Sequence, residues 1–150
     1  QEKVEVGIDG CSVPNFAVPL YNCALGFARL CDPRGLSLER AAACRRITQS
    51  MMANPVMIGG PGRFDTRLME ICEGRLIAKA GAEGYMAIGV LAGALGAESP
   101  GIGIALISRK VAKARRFNWF PLRLCVFALK PDPIQQSGNM SYIIWDADKR

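Results

Sequence analysis

Leu76-Ile77-Ala78-Lys79-Ala80-Gly81-Ala82-Glu83-Gly84-Tyr85 sets a lysine in an otherwise apolar stretch and follows it with two glycines. Arg75 to Ala78 reads as a short buried strand and Tyr85 to Leu91 as a second, which puts Lys79 near a strand end facing a cleft. A desolvated ammonium there can orient a substrate carboxylate or lower the pKa of a neighbouring nucleophile. At about 4 Å and an effective dielectric near 20, such a charge is worth roughly 4 kcal/mol before desolvation is subtracted. The same residues also describe a lysine snorkelling from a strand end into water, with Gly81 and Gly84 serving only the turn. Lys-x-Gly is too short a pattern to separate the two readings.

Working downstream, residues 85–107 are almost free of charge. Five glycines, Glu98 and Pro100 interrupt the run, and each half is too short to span a membrane, so two strands joined through a Gly96 to Gly101 turn is the better reading. Working upstream, Val56 to Thr66 is glycine-rich but has no Gly-Lys-Ser/Thr, which excludes a P-loop. A glycine loop ending in Asp65 as the cap of a helix from Thr66 to Glu73, closed by Gly74, accounts for the same residues. Arg63 and Asp65 also stand where they could line a cleft.

Further back, Leu20, Cys23, Ala24, Phe27, Ala28 and Cys31 recur at helical spacing, with Pro19 suited to the first helical position and Asp32-Pro33-Arg34-Gly35 ending the helix. Ser37 caps a second helix to about Ala53, with Leu38, Ala41, Cys44, Ile47, Met51 and Met52 inward and Asn54-Pro55 as its stop. Val4 to Ile8 alternates as a strand and ends in the turn Asp9-Gly10. Two helices after a strand suggest a helical layer on a sheet. Beyond Ile107 the pattern degrades, apart from an apolar run at Leu122 to Leu129 and a short strand at Tyr142 to Trp145.

With 150 residues, half of them hydrophobic, the chain suffices for one domain and not two. It begins with Gln, so it is read as processed or as a piece of a longer protein. Six cysteines with no C-x-x-C favour reduced thiols and a cytoplasmic protein. The absence of histidine removes the commonest general base, Ser-His triads and the usual zinc fingers. Any catalysis must run on Lys, Asp, Glu, Cys, Ser or Tyr. Seven basic residues and no acidic one lie between Arg109 and Lys130, so with a net charge of +6 the remainder stands at −1. The basicity is local and is not a property of the domain.

Three blocks in order, Gly7-Ile8-Asp9-Gly10-Cys11-Ser12-Val13-Pro14-Asn15-Phe16, Gly62-Arg63-Phe64-Asp65-Thr66 and Ala78-Lys79-Ala80-Gly81-Ala82-Glu83-Gly84, resemble the asparaginase II family, the rhizobial-type inducible L-asparaginases. The resemblance covers about residues 4–107, a C-terminal portion of the family domain, and leaves 108–150 as a divergent basic and aromatic tail. It implies an α/β (α+β) chain with a serine-β-lactamase-like or glutaminase-like fold, an antiparallel sheet flanked by helices. It also implies hydrolysis of L-asparagine to aspartate and ammonia, and a homodimer for the full-length enzyme. The family's nucleophile is a serine in a Ser-x-x-Lys arrangement, and a further cleft lysine falls on Lys79. Arg63 and Gly81 become substrate-binding candidates, Asp9 a carboxylate facing water or substrate, and Cys11 a ligand of the family's zinc. Thiolate suits that metal, and two residues spaced i, i+2 at a strand end can point into one pocket.

The sequence also departs from the family. None of its seven serines, Ser12, Ser37, Ser50, Ser99, Ser108, Ser137 and Ser141, has lysine three residues on. The second cysteine block and ligand lysine of the family, which precede Asp-Gly-Cys, are also missing. The expectation is therefore an asparaginase-type chain that supplies Asp9, Cys11 and Lys79 but lacks its nucleophile and is inactive alone, with apolar surface exposed and a tendency to self-associate. The alternatives are a non-catalytic relic of the same fold, or a nucleic-acid or acidic-surface module using Arg109 to Arg123 with Phe117, Trp119 and Phe120 interleaved. Against the latter, a disordered basic tail is the plainer reading, because these cations and aromatics have no evident scaffold.

Overall fold

The computed structural model describes residues 5–107 and the backbone of 127–129 and 142–144. The alternating run at the start forms β1 (Val6–Ile8), which turns through Asp9 to Val13 into β2 (Pro14–Phe16), antiparallel with Val6 opposite Phe16. Val6, Ile8, Val13 and Phe16 are exposed, and the hairpin packs chiefly on itself. Next come α1 (Leu20–Cys31), α2 (Leu38–Ala53), α3 (Pro55–Gly59) and α4 (Phe64–Ile71). The chain then lays down an antiparallel meander of β3 (Leu76–Ala80), β4 (Tyr85–Val90) and β5 (Ile102–Ile107), with a 3-10 turn at Ala82–Gly84. Two further strands, β6 (Phe127–Leu129) and β7 (Tyr142–Ile144), pair with each other, and β6 lies beside β5 and α1. Among the described residues this is a mixed α+β arrangement of four helices and small antiparallel sheets. The basic segment Arg109 to Arg123, on which the nucleic-acid reading falls, lies outside the described residues.

The meander's register decides what packs on each face. Ile77, Gly89 and Gly103 stand side by side across the three strands, as do Lys79, Ala87 and Ala105. This face takes α1, whose Ala24, Ala28 and Cys31 are buried at helical spacing. The approach is close because the facing strand positions have no side chains. A Cβ on Gly103 would run into the Ala24 carbonyl, one on Gly89 into the Cys31 sulfur, and one on Gly101 into Asp32. The opposite face carries Ala78 and Met86, packed with Met69 of α4 and flanked by Ile58, Leu68 and Leu106.

Asp32 pins the end of α1. Its carboxylate accepts from the Gly101 N–H at 3.1 Å and from Arg34 Nε at 2.6 Å, and these bonds hold it below its ordinary range. The Cys31 thiol beside it is pushed up to about 12 by burial and by the charges of Asp32 and Cys44. Unfolded, that thiol ionises near its ordinary value of 9.0, whereas the folded chain keeps the proton. Stability is therefore complete below pH 9 and is lost as the pH climbs towards 12. Urea midpoints should fall over that window and fall less in Cys31→Ala.

Several local expectations need correction. Pro19 precedes α1 as its cap and is not its first residue. Ser37 caps α2 by accepting from the Arg40 N–H, as its sequence suggests. The inward stripe of α2, however, is Ala41, Cys44, Thr48, Met51 and Met52, while Leu38 is 88% and Ile47 49% exposed. Leu38 is the helix's first residue, where little surrounds it. Asn54-Pro55 stops α2 only to start α3, with Pro55 in its first turn.

Candidate active site

The second and third blocks of the sequence meet at the end of β3. The glycine loop between α3 and α4 needs left-handed backbone at Gly60 (φ +94°) and Gly62 (φ +69°), which glycine adopts without strain. It delivers Arg63 to the α4 N-cap, exposed, and turns Asp65 and Thr66 inward, each about 1% exposed. Asp65 is therefore not the cap of α4; it lies within the first turn and reaches across to the sheet. Its Oδ2 accepts from the Ala80 N–H at 2.9 Å and its Oδ1 from the Thr66 N–H at 3.2 Å. β3 is an outer strand of the meander, and the carboxylate occupies a main-chain donor that a further strand would otherwise take.

Thr66 completes the latch. Its Oγ1 lies 2.7 Å from the Gly60 carbonyl and 3.3 Å from that of Pro55. A Cβ at Gly59 would collide with Thr66 Oγ1 and Asp65 Oδ1, so the loop closes only around glycine. Burial pushes the Asp65 pKa up, but the N–H groups of Ala80 and Thr66, together with the nearby Lys79 charge, outweigh it and leave the group below its ordinary value. The carboxylate is an anion held by backbone donors.

Lys79 shares its register line with Ala87 and Ala105, on the α1 side of the sheet. It is exposed, and its Nζ donates to the Ala80 carbonyl at 2.6 Å. The ammonium is thus exposed at the strand end, which matches the snorkelling lysine of the two sequence readings and not the desolvated one. Gly81 follows, its N–H donating to the Tyr85 carbonyl at 2.9 Å, with the Tyr85 ring where a Cβ would go. The Tyr85 phenol is pushed up to about 12 by burial and by its hydrogen bond with the Cys23 thiol.

Asp9 and Cys11 come together in the β1–β2 turn. Asp9 Oδ1 accepts from the Gly10 N–H at 2.6 Å, the Cys11 thiol points to Asp9 Oδ2 at 3.7 Å, and Ser12 takes a left-handed φ of 65°. Both residues are exposed, and none of their hydrogen bonds among the described residues reaches β3. For zinc, this turn offers one thiolate and one carboxylate against the four ligands the ion takes. No group of three or more His, Cys, Asp or Glu suited to a metal occurs among the described residues, so the donor set here does not complete a zinc site and no chemical step is derived through one.

Sequence reasoning placed Asp65 and Thr66 at the helix start but missed the bond of Asp65 to the strand and the bonds of the Thr66 hydroxyl to the loop carbonyls. The inward turn of Asp65 is legible only once Gly59 and Gly60 are known to fold back over it. Residues 1–106 match the family model described as L-asparaginase II, and the chain belongs to that family. A search of curated proteins gave no match. Among the described residues, no helix is long and apolar enough to cross a membrane.

Proposed function

We propose that the chain is an asparaginase-type amidohydrolase polypeptide that binds L-asparagine at the β3 end and, lacking a Ser-x-x-Lys nucleophile, does not hydrolyse it alone. The reading is supported by membership of the L-asparaginase II family. The single observation that supports a site at the β3 end is the Asp65 to Ala80 bond, which joins the Arg63 block to the Lys79 block. Arg63 and Lys79 are the cations for the substrate's α-carboxylate, and the Gly81 segment gives backbone room beside it. Asp65 ties the loop that carries Arg63 to the strand end that carries Lys79 and Gly81.

In the same reading the hairpin, apart from the β3 end, offers Asp9 as a carboxylate towards water and Cys11 as a thiolate that does not by itself make a metal site. The serine-β-lactamase-like or glutaminase-like fold, a homodimer and a cytoplasmic setting complete the proposal. Hydrolysis consumes one water and releases aspartate and ammonia, and it needs an attacking oxygen activated next to the amide carbon. None of the chain's serines has the lysine spacing for that role.

Titration with L-asparagine, followed by amide chemical shifts, tests the binding. Perturbations should centre on residues 60–66 and 79–81, and Arg63→Ala or Lys79→Ala should each weaken binding by about tenfold, the scale of one charge-assisted hydrogen bond. Ammonia release should stay at background. Shifts confined to other regions would overturn the site, and robust ammonia release would overturn the nucleophile-free reading.

A further inference from the structure

A concavity lies between α1 and α2, lined by none of the residues assigned above to asparagine. It is an open groove of about 590 Å³, within the range of small-molecule sites. Phe27, Leu30, Leu36 and Ile47 make its walls apolar. Two of its lining residues are cations, Arg29 and Arg40, and no acidic residue lines it. Arg29 stands in the last turn of α1 and Arg40 in the first turn of α2, either side of the 32–37 connection, so both charges gather at one end of the groove. Neither is ion-paired among the described residues; the nearby Asp32 carboxylate is already taken by Arg34 and by the Gly101 N–H. Cys23, Cys44 and Tyr85 also line it.

We infer that the α1–α2 groove is a binding site for a free amphipathic carboxylic acid, its carboxylate at Arg29 and Arg40 and its apolar body along Phe27, Leu30 and Ile47. Charge complementarity selects the occupant. An apolar trough with two unpaired guanidiniums at one end matches an acid with an aliphatic or aromatic tail better than it matches a neutral hydrocarbon or a polar metabolite. The inference is independent of the amide-hydrolysis reading, because it uses different residues and a different ligand.

Two thiols in the groove and one outside it supply the test. Cys23 and Cys44 are half-buried in the lining, whereas Cys11 is exposed on the hairpin. Alkylation by iodoacetamide is followed at each cysteine by mass spectrometry, with decanoate below its micellar concentration as the probe. Decanoate should slow modification of Cys23 and Cys44 by about tenfold or more at saturation and leave Cys11 unchanged, with amide shifts confined to α1, α2 and Tyr85. The double variant Arg29→Gln/Arg40→Gln, which alters only exposed side chains, should keep the wild-type urea midpoint and lose protection by about tenfold in affinity. The inference is overturned if 1-decanol protects as well as decanoate or if Cys11 is protected equally. It is likewise overturned if only anionic vesicles protect, or if protection rises with protein concentration alone.

Discussion

Gly103→Ala should be the most damaging single-methyl change in the described domain. The added Cβ would run into the Ala24 carbonyl, with the main-chain nitrogen of Ala28 also within 2.7 Å. Both neighbours are helix backbone, so no side-chain rotation relieves the overlap and α1 must lift from the sheet as a unit. Lifting it separates Ala24 from Ala105 and opens the apolar contacts that Leu20 and Tyr21 make around them. Overpacking a well-filled core usually costs about 1–3 kcal/mol where side chains can give way; here the rigid partner puts the expected loss at or above the upper end. Against a net stability of about 5–15 kcal/mol for a typical domain, that is a large share. Gly26→Ala is the matched control, since a Cβ there meets nothing within 4 Å. It should stabilise α1 by about 0.5–1 kcal/mol through helix propensity. Urea unfolding of the two variants in parallel checks the pair, and equal midpoints would show that α1 does not sit on the glycine pair of β4 and β5.

The same glycines explain how far the sequence could be read. Apolar runs at Arg75 to Ala78, at Tyr85 to Leu91 and in the second half of the uncharged 85–107 stretch announce the strands, and the spacing of Ala24, Ala28 and Cys31 announces the buried side of α1, because these patterns are local. That Gly89 and Gly103 face each other across two strands and both lie under one helix is a matter of register, which neither glycine reveals alone. The inward side of α2 was misjudged for a related reason. Leu38 and Ile47 are apolar enough to suggest burial, but the partner surface meets Ala41, as expected, and Thr48, which the apolar pattern passed over. At the candidate site, Lys79 stands out as a lysine in an apolar stretch and Arg63 as a residue of the glycine loop, whereas their roles towards substrate, and Gly81 beside them, come only through resemblance to a family. The Asp65 latch depends on a contact fifteen residues long in sequence, and only the fold supplies it.

Asp65→Asn removes that latch while keeping side-chain volume, and its expected cost is the second largest. The carboxylate presents an acceptor to each of two main-chain N–H groups, on Ala80 and Thr66. An amide presents one acceptor and one donor, so one N–H must face another donor in a site that is 1% exposed. Leaving a buried donor unmet and giving up a charge-assisted bond together predict a loss of about 2–4 kcal/mol. Replacing a buried charge by a neutral group can be harmless when its partners go with it; here the partners are backbone and remain.

The pH dependence separates this cause from simple misfit. Because the folded pKa lies below the ordinary 3.8, the contribution of Asp65 is complete above that value and disappears as the pH falls through the folded pKa. Wild-type stability should therefore drop on acidification below about pH 4, and the drop should be shallower in Asp65→Asn, leaving the part due to Asp32, which is lowered in the same sense. If the variant were destabilised by bulk or strain, its acid limb would run parallel to the wild type. The amide signals of Ala80 and Lys79 give a second reading, because loss of the carboxylate should loosen the strand end there, whereas Asp9 and Cys11 on the distant hairpin should not respond. A variant that keeps those two signals and the wild-type acid limb would mean that the β3 end is held by the Gly81 to Tyr85 turn alone.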